Sequence, residues 1–300
     1  MTLKLRGVFV EFIASILMSG ISLGGQYALI AIGYTMVYGI LRLINFAHGD
    51  VFMVAGMVLI YMVASVPWYI SIPLAIIATI LLGFVIERAA YLPLRSAPRM
   101  SVMISAIGVS YLLQNLMTYI TAGQPMYYPD IPFLSDTVPV FGTETQWAKL
   151  ITPVIVIVLI VALTQLINHT KIGMAMRAVS KDFETSRLMG IKINKVISVT
   201  FIIGSALAAV GSVLYFTNFS VIVPTSGALP GLRAFVAAVF GGIGSVPGAV
   251  VGAFVIGICE SIIRGTSFAT FSDAFTFALL IIILVVKPTG LFGEKITDKV

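Results

Sequence analysis

Apolar residues fill this chain in long stretches, at about 12–41, 51–66, 70–86, 101–121, 150–167, 198–217, 233–264 and 274–286, separated by short polar segments. A helix rises 1.5 Å per residue, so about 20 apolar residues cross the roughly 30 Å hydrocarbon layer of a bilayer, and most of these stretches predict transmembrane helices. Two are long enough to be compound. The stretch 233–264 is interrupted by GGIGSVPGA (Gly241–Ala249), which predicts two short helices joined at a break. The stretch 12–41 predicts two crossings with a turn near Gly24–Tyr27. The expected fold is all-α, a polytopic transmembrane helical bundle of about ten segments, some broken or of half length. Eight is the alternative if the compound stretches are single tilted helices. No soluble domain or low-complexity linker is visible.

Basic residues are retained on the cytoplasmic side of membranes, and they orient the chain. The loop Glu87–Arg99 carries Arg88, Arg95 and Arg99, and the segment Asn168–Ile197 carries six Lys or Arg against two acids. Both are assigned to the cytoplasm. The segment 122–149 carries Asp130, Asp136 and Glu144 against Lys149 alone, and its four prolines favour an extended external loop. With Lys4 and Arg6 inside at one end and Lys287, Lys295 and Lys299 inside at the other, the number of crossings must be even. The first apolar stretch continues to Leu41 without an evident cleavage signal, and is read as a retained span and not as a signal peptide.

Composition narrows the function classes. Hydrophobic residues are 59% of the chain and charged residues 10%, against roughly 25% charged in soluble domains, which excludes a soluble core. The net charge of +6 then reflects inward-facing loops and not a nucleic-acid partner. One cysteine, Cys259, and two histidines leave neither a disulfide framework nor a metal cluster. With no paired-carboxylate or nucleophile constellation either, no enzymatic role and no cofactor in this chain are expected.

Within the basic segment 168–197 a short helix is bracketed by its own signals. Asp182 is placed to cap it, Phe183–Met189 make about two turns, and Gly190 supplies the left-handed residue that ends it. Such a helix reads as a docking element or as a solvated connector. In LRLINFAHGD (Leu41–Asp50), Asn45, His48 and Asp50 surround the breaker Gly49. Ionisable groups at membrane depth face a cavity, a partner or a pathway, and broken helices expose backbone that binds polar solutes. The plainer reading has Arg42, His48 and Asp50 capping helix ends. Ser110 and Gln114, with Asn115 beside them, make a polar patch suited to interhelical hydrogen bonds or to substrate contact. Gly241, Gly242, Gly244, Pro247 and Gly248 superficially resemble a phosphate loop, but no lysine follows and no strand precedes, so they read as a packing or turning element. Glu260 lies four residues before Arg264, spaced for an ion pair, and is also a pathway candidate.

These blocks carry a family resemblance. INFAHGD (Ile44–Asp50), ERAAYLPLR (Glu87–Arg95), IGVSYLLQN (Ile107–Asn115), AMRAVSKDFETSRLMGI (Ala175–Ile191) and GGIGSVPGAVVG (Gly241–Gly252) occur in the order seen in the branched-chain amino-acid ABC-transporter permeases of the LivH type, over nearly the whole chain. Glu184 and Gly190 resemble the ends of that superfamily's coupling motif E-A-A-x-x-x-G, with Thr185 and Ser186 replacing the alanines; Leu92 stands where the family often has arginine. The resemblance implies one permease domain over residues 1–300 in a bacterial inner (plasma) membrane, importing leucine, isoleucine or valine. It implies as partners a second related permease, two cytoplasmic ATPases that hold ATP and magnesium, and a periplasmic or extracellular substrate-binding protein. Asp182, Glu184, Arg187 and Gly190 would then couple to the ATPases. A urea or short-chain amide permease of the same superfamily, or a secondary transporter or channel, is the alternative.

Overall fold

The computed structural model describes residues 2–95, 97–140 and 142–293, with side chains from residue 11 onward. In chain order the helices are α1 (Thr2–Leu41), α2 (His48–Val63), α3 (Trp68–Ile86, continued by a π-helical turn Glu87–Tyr91), α4 (Arg99–Thr121), α5 (Trp147–His169), α6 (Lys171–Lys181), α7 (Phe183–Leu188), α8 (Ile193–Asn218), α9 (Ala228–Gly241), α10 (Val246–Arg264) and α11 (Ser272–Val286). Seven of them, α1, α3, α4, α5, α8, α10 and α11, are long and apolar enough to cross a membrane. The expected helical bundle is therefore found, with α2 and α9 as its two short apolar helices.

Burial sorts the spans. In α1 and α8 the most apolar windows are 72% buried, whereas in α5 and α11 they are 17% and 11% buried, so the first pair forms the core and the second presents apolar side chains outward. That is the pattern of a bundle solvated by hydrocarbon, where an exposed Ile or Val costs nothing.

The bundle has two end faces. One carries β1 (Met126–Tyr127) paired with β4 (Val221–Ile222), and the antiparallel hairpin of β2 (Thr137–Val140) and β3 (Thr143–Gln146). The other carries α6 and α7 with their basic residues. The segments 122–149 and 168–197 thus lie at opposite ends, as their charges predict.

α1 overturns one expectation. It is a single helix of 40 residues with no turn near Gly24–Tyr27, about 60 Å long. One end lies at the hairpin face, where Glu11 sits over Gly142 so closely that a Cβ there would be 2.6 Å from its Oε1. At the other end Arg42, in the left-handed conformation with φ +53°, donates to the Ser180 carbonyl at 3.3 Å. The N-terminal end of the first span is therefore opposite the basic face, not beside it, and its crossing is single. Lys295 and Lys299 lie outside the described residues, as do the side chains of Lys4 and Arg6. The reason the glycines do not break α1 is that they serve helix contact. A Cβ on Gly24 would meet the Phe254 Cα at 2.8 Å, one on Gly20 the Ile258 Cα at 2.9 Å, and one on Gly257 the Gly24 backbone at 2.3 Å. Small residues four apart let α1 and α10 pack backbone to backbone, the main source of adhesion where apolar burial drives nothing.

The other compound stretch does split. α9 ends at Gly241, Gly242 and Gly244 take φ of +112° and +99°, and Ser245 caps α10 by accepting from Gly248 N at 3.2 Å, with Pro247 in the first turn. The helices leave this turn in close contact, a Cβ on Gly248 lying 2.5 Å from the Gly241 carbonyl. Leu291 and Phe292 donate their backbone N–H groups to the carbonyls of Phe240 and Gly241 at 3.0 and 2.9 Å, closing the end of α9. The glycine-rich motif is a packed turn.

Candidate functional site

Two short helices begin inside the bundle and meet there. His48 packs against Gly33, eight residues before the end of α1 at Leu41, so the chain folds back by about 12 Å before α2 starts. Asn45 organises this return: its Oδ1 accepts from Ala47 N at 3.2 Å and from the Tyr91 hydroxyl at 2.8 Å. The first turn of α9 lies against the first turn of α2 with glycine facing glycine at the closest approach. A Cβ on Gly49 would sit 2.6 Å from the Gly227 carbonyl, and one on Gly227 would sit 2.2 Å from the Gly49 carbonyl.

Beside this junction is a cavity of about 380 Å³ between α1, α2, α4 and α9. Asp50, 3% exposed, is its one carboxylate; it accepts from Ser110 Oγ at 2.5 Å and Gln114 Nε2 at 3.0 Å, both from α4. Phe46, Ile107, Leu232 and Phe235 give the cavity apolar walls, and Tyr34 closes it toward α1. Two helix amino ends, the positive ends of their dipoles, converge on a buried carboxylate and an apolar wall.

The structure therefore divides the polar candidates. Gly49, Asp50, Ser110 and Gln114 line one cavity. Asn45 and His48 stand behind it, Asn45 holding the turn that leads into α2 and His48 packed between Gly33 and Gly204 with Nε2 unpartnered. Gly241, Gly242, Gly244, Pro247 and Gly248 form the turn at the basic end. Glu260 belongs to a separate network toward the hairpin face.

That network has members the sequence did not single out. Glu260, fully buried, faces Arg264 at 2.6 Å and Arg233 at 3.0 Å through Oε1 as ion pairs without hydrogen-bond alignment, while Oε2 accepts from the Tyr27 hydroxyl at 2.9 Å. Arg233 also donates to Tyr27 and to Asp273 Oδ1, both at 3.0 Å. Arg233 hid at the margin of an apolar stretch, and nothing in sequence spacing joins residues 27, 233, 260 and 273. We expect Arg233→Ala to destabilise the protein by roughly 3 to 5 kcal/mol, because it leaves a buried carboxylate short of a partner. Thermal unfolding in detergent would read this, and an unchanged midpoint would show the pair to be dispensable.

At the basic face α7 starts at Phe183 as predicted and ends at Leu188, one residue before the predicted Met189. Asp182 accepts from Thr185 N at 3.0 Å and from its hydroxyl at 2.5 Å, bonds that hold its carboxyl below the usual carboxylate range. The cap is therefore intact at neutral pH and weakens only as pH falls through that lowered value. Gly190 has φ +80°, and a Cβ there would meet nothing within 4 Å. Leu188 and Met189, 86% and 78% exposed, form an apolar tip beyond the membrane helices. Behind α7, Glu87 in the π-helical turn is fully buried, accepting from Ser198 Oγ at 2.8 Å and from Arg95, which also bonds Asn194. The end of α3 and the start of α8 are thus locked together directly behind the loop. The motif ERAAYLPLR contained this buried acid, but a charged loop gives no sign that one member turns inward. Among the described residues no three His, Cys, Asp or Glu side chains are grouped to hold a metal ion.

Comparison with known proteins adds a consistent result. A family model described as the permease component of the branched-chain amino acid transport system matches residues 16–284. The chain is 39% identical over 298 residues to the high-affinity branched-chain amino acid transport system permease protein LivH of Escherichia coli strain K12, covering 94% of this chain and 96% of that one. It is 39% identical over 300 residues to BraD, the corresponding permease protein of Pseudomonas aeruginosa, covering 95% and 97%. The ribose import permease protein RbsC of Haemophilus influenzae is more distant, at 24% over 279 residues, covering 90% and 83%.

Proposed function

The chain belongs to the branched-chain amino acid transport permease family, and from that premise we propose how it works. It is a multi-pass membrane permease subunit of an ABC importer for branched-chain amino acids, not an enzyme. In our reading it sits in the bacterial inner membrane with the hairpin face outside and the basic face in the cytoplasm. It lines half of the pathway, a second related permease lines the other half, and a substrate-binding protein delivers cargo from outside. ATP and magnesium reside on two ATPase subunits beneath the basic face.

The observation that carries the pathway reading is the meeting of α2 and α9 at Gly49 and Gly227 beside Asp50. A branched-chain amino acid presents an ammonium, a carboxylate and an aliphatic side chain. Asp50 suits the first, the amino end of α9 the second, and the walls at Ile107, Leu232 and Phe235 the third. Apolar walls with only a few placed polar groups support this cargo over urea or a small amide, and the higher identity to the amino-acid permeases than to the ribose permease supports it over a sugar. On the cytoplasmic side the apolar tip Leu188–Met189 suits a groove on an ATPase, and the Glu87–Arg95–Asn194 lock gives its movement a rigid route into α3 and α8.

The orientation is tested by cysteine labelling in a Cys259→Ser background. Thr143→Cys and Glu11→Cys should react with an impermeant thiol reagent added outside, and Ser180→Cys only once the inner face is opened. The reverse pattern would overturn the orientation and the docking role together.

A further inference from the structure

A groove of about 860 Å³ opens at the basic face between the end of α3, the coupling loop and the start of α8. Its rim holds five cations: Arg88 and Arg95 from α3 and the loop after it, Arg187 from α7, and Lys192 and Lys195 leading into α8. Glu87 behind them engages Arg95 and lies 3.6 Å from Arg88, whose guanidinium also covers the Phe84 ring at 5.2 Å. Arg187, Lys192 and Lys195 make no ion pair among the described residues. Toward the membrane the same groove is walled by Phe84, Val199 and Ile202. It is thus cationic where it meets water and apolar where it meets hydrocarbon.

α7 offers different faces to different surroundings. Phe183 and Arg187, four apart, face the groove, whereas Leu188 and Met189 project from the tip and are no part of its lining. The groove is therefore distinct from the apolar surface assigned above to the ATPase.

We propose that this groove binds an anionic phospholipid of the cytoplasmic leaflet, its phosphate held by Arg187, Lys192 and Lys195 and its acyl chain laid along Phe84, Val199 and Ile202. The fit is one of chemistry and position. A membrane supplies amphiphiles with a negative head at the depth where the cations stand, and Lys or Arg clusters on the cytoplasmic side attract them. The bound lipid bridges α3, the coupling loop and α8, so it would steady the loop through which the ATPases act. This rests on the cytoplasmic assignment of the basic face only for the choice of leaflet.

The test uses the purified permease–ATPase assembly in detergent, incubated with phosphatidylglycerol or phosphatidylcholine and examined by native mass spectrometry. Phosphatidylglycerol should be retained preferentially. Lys192→Gln with Lys195→Gln should reduce that preference about thirty-fold, each surface cation contributing roughly fivefold, while Lys192→Arg with Lys195→Arg should keep it. Both lysines are exposed at the amino end of α8, where removing positive charge favours the helix dipole, so loss of lipid would not reflect unfolding. Equal retention of the two lipids, an unchanged preference in the Gln variant, or displacement of the lipid by millimolar inorganic phosphate would each overturn the proposal. Co-purification of the ATPases is read in the same spectra, so a failed lipid site and a failed importer assignment are told apart.

Discussion

Gly190→Val is expected to give a permease that inserts at normal levels but whose ATPase partners no longer respond to loaded binding protein. Gly190 holds φ +80°, and a β-branched residue there is strained by roughly 1 to 2 kcal/mol. Space is not the obstacle, since a Cβ would meet nothing within 4 Å. The strain is relieved by turning the chain differently after Leu188, which redirects the exposed tip. Leu188→Asp makes the complementary test: it leaves the backbone alone and removes the apolar contact, and losing a central interface anchor of about 2 kcal/mol or more weakens association some thirty-fold. Glu184→Lys should act in the same direction by reversing a charge on the docking helix. Substrate-stimulated ATP hydrolysis in proteoliposomes and co-purification of the ATPase are the readouts. Normal values for all three variants would reduce α7 to a solvated connector.

Gly49→Val should abolish transport while the protein still reaches the membrane. The contact with Gly227 is backbone to backbone, and a Cβ at 2.6 Å from a carbonyl oxygen forces α2 and α9 apart, since neither partner has a side chain that can swing away. Overpacking of this kind costs roughly 1 to 3 kcal/mol, enough to displace two short helices without unfolding a bundle held by long ones. Gly227→Ala should reproduce the defect from the other side. Asp50→Asn separates shape from charge: Asn keeps an acceptor for Ser110 and occupies the same volume, so a fall in uptake with normal assembly would point to the carboxylate itself. Uptake equal to that of the unmodified protein would leave Asp50 as an interhelical hydrogen-bond partner.

Much of this protein follows from local features of the chain. The apolar stretches determine where helices lie, because in hydrocarbon a backbone satisfies its polar groups only within a helix. Asp182 and Gly190 bound α7 because capping and a left-handed residue are decided within a few positions. The split at Gly241–Gly248 is legible for the same reason, since positive-φ glycines at 242 and 244 and a capped Ser-Val-Pro start end one helix and begin another locally. Pairing between distant segments is not encoded this way. Gly24 and Gly25 look like a break, and only α10 arriving at Gly24 and α5 at Gly25 turn them into contact surfaces, which made α1 one helix and placed its amino end at the hairpin face. Glu87 and Arg233 look like a loop charge and an interfacial charge until Arg95, Ser198, Tyr27 and Glu260 surround them. Asp50, Ser110 and Gln114 were visible as polar residues in apolar helices, but the cavity they line exists because two glycine-bearing helix starts, 178 positions apart at Gly49 and Gly227, are brought within van der Waals contact. Local backbone preference acts over single turns, whereas which helices touch is decided by the shape of whole packed faces, and that becomes definite only in the assembled bundle.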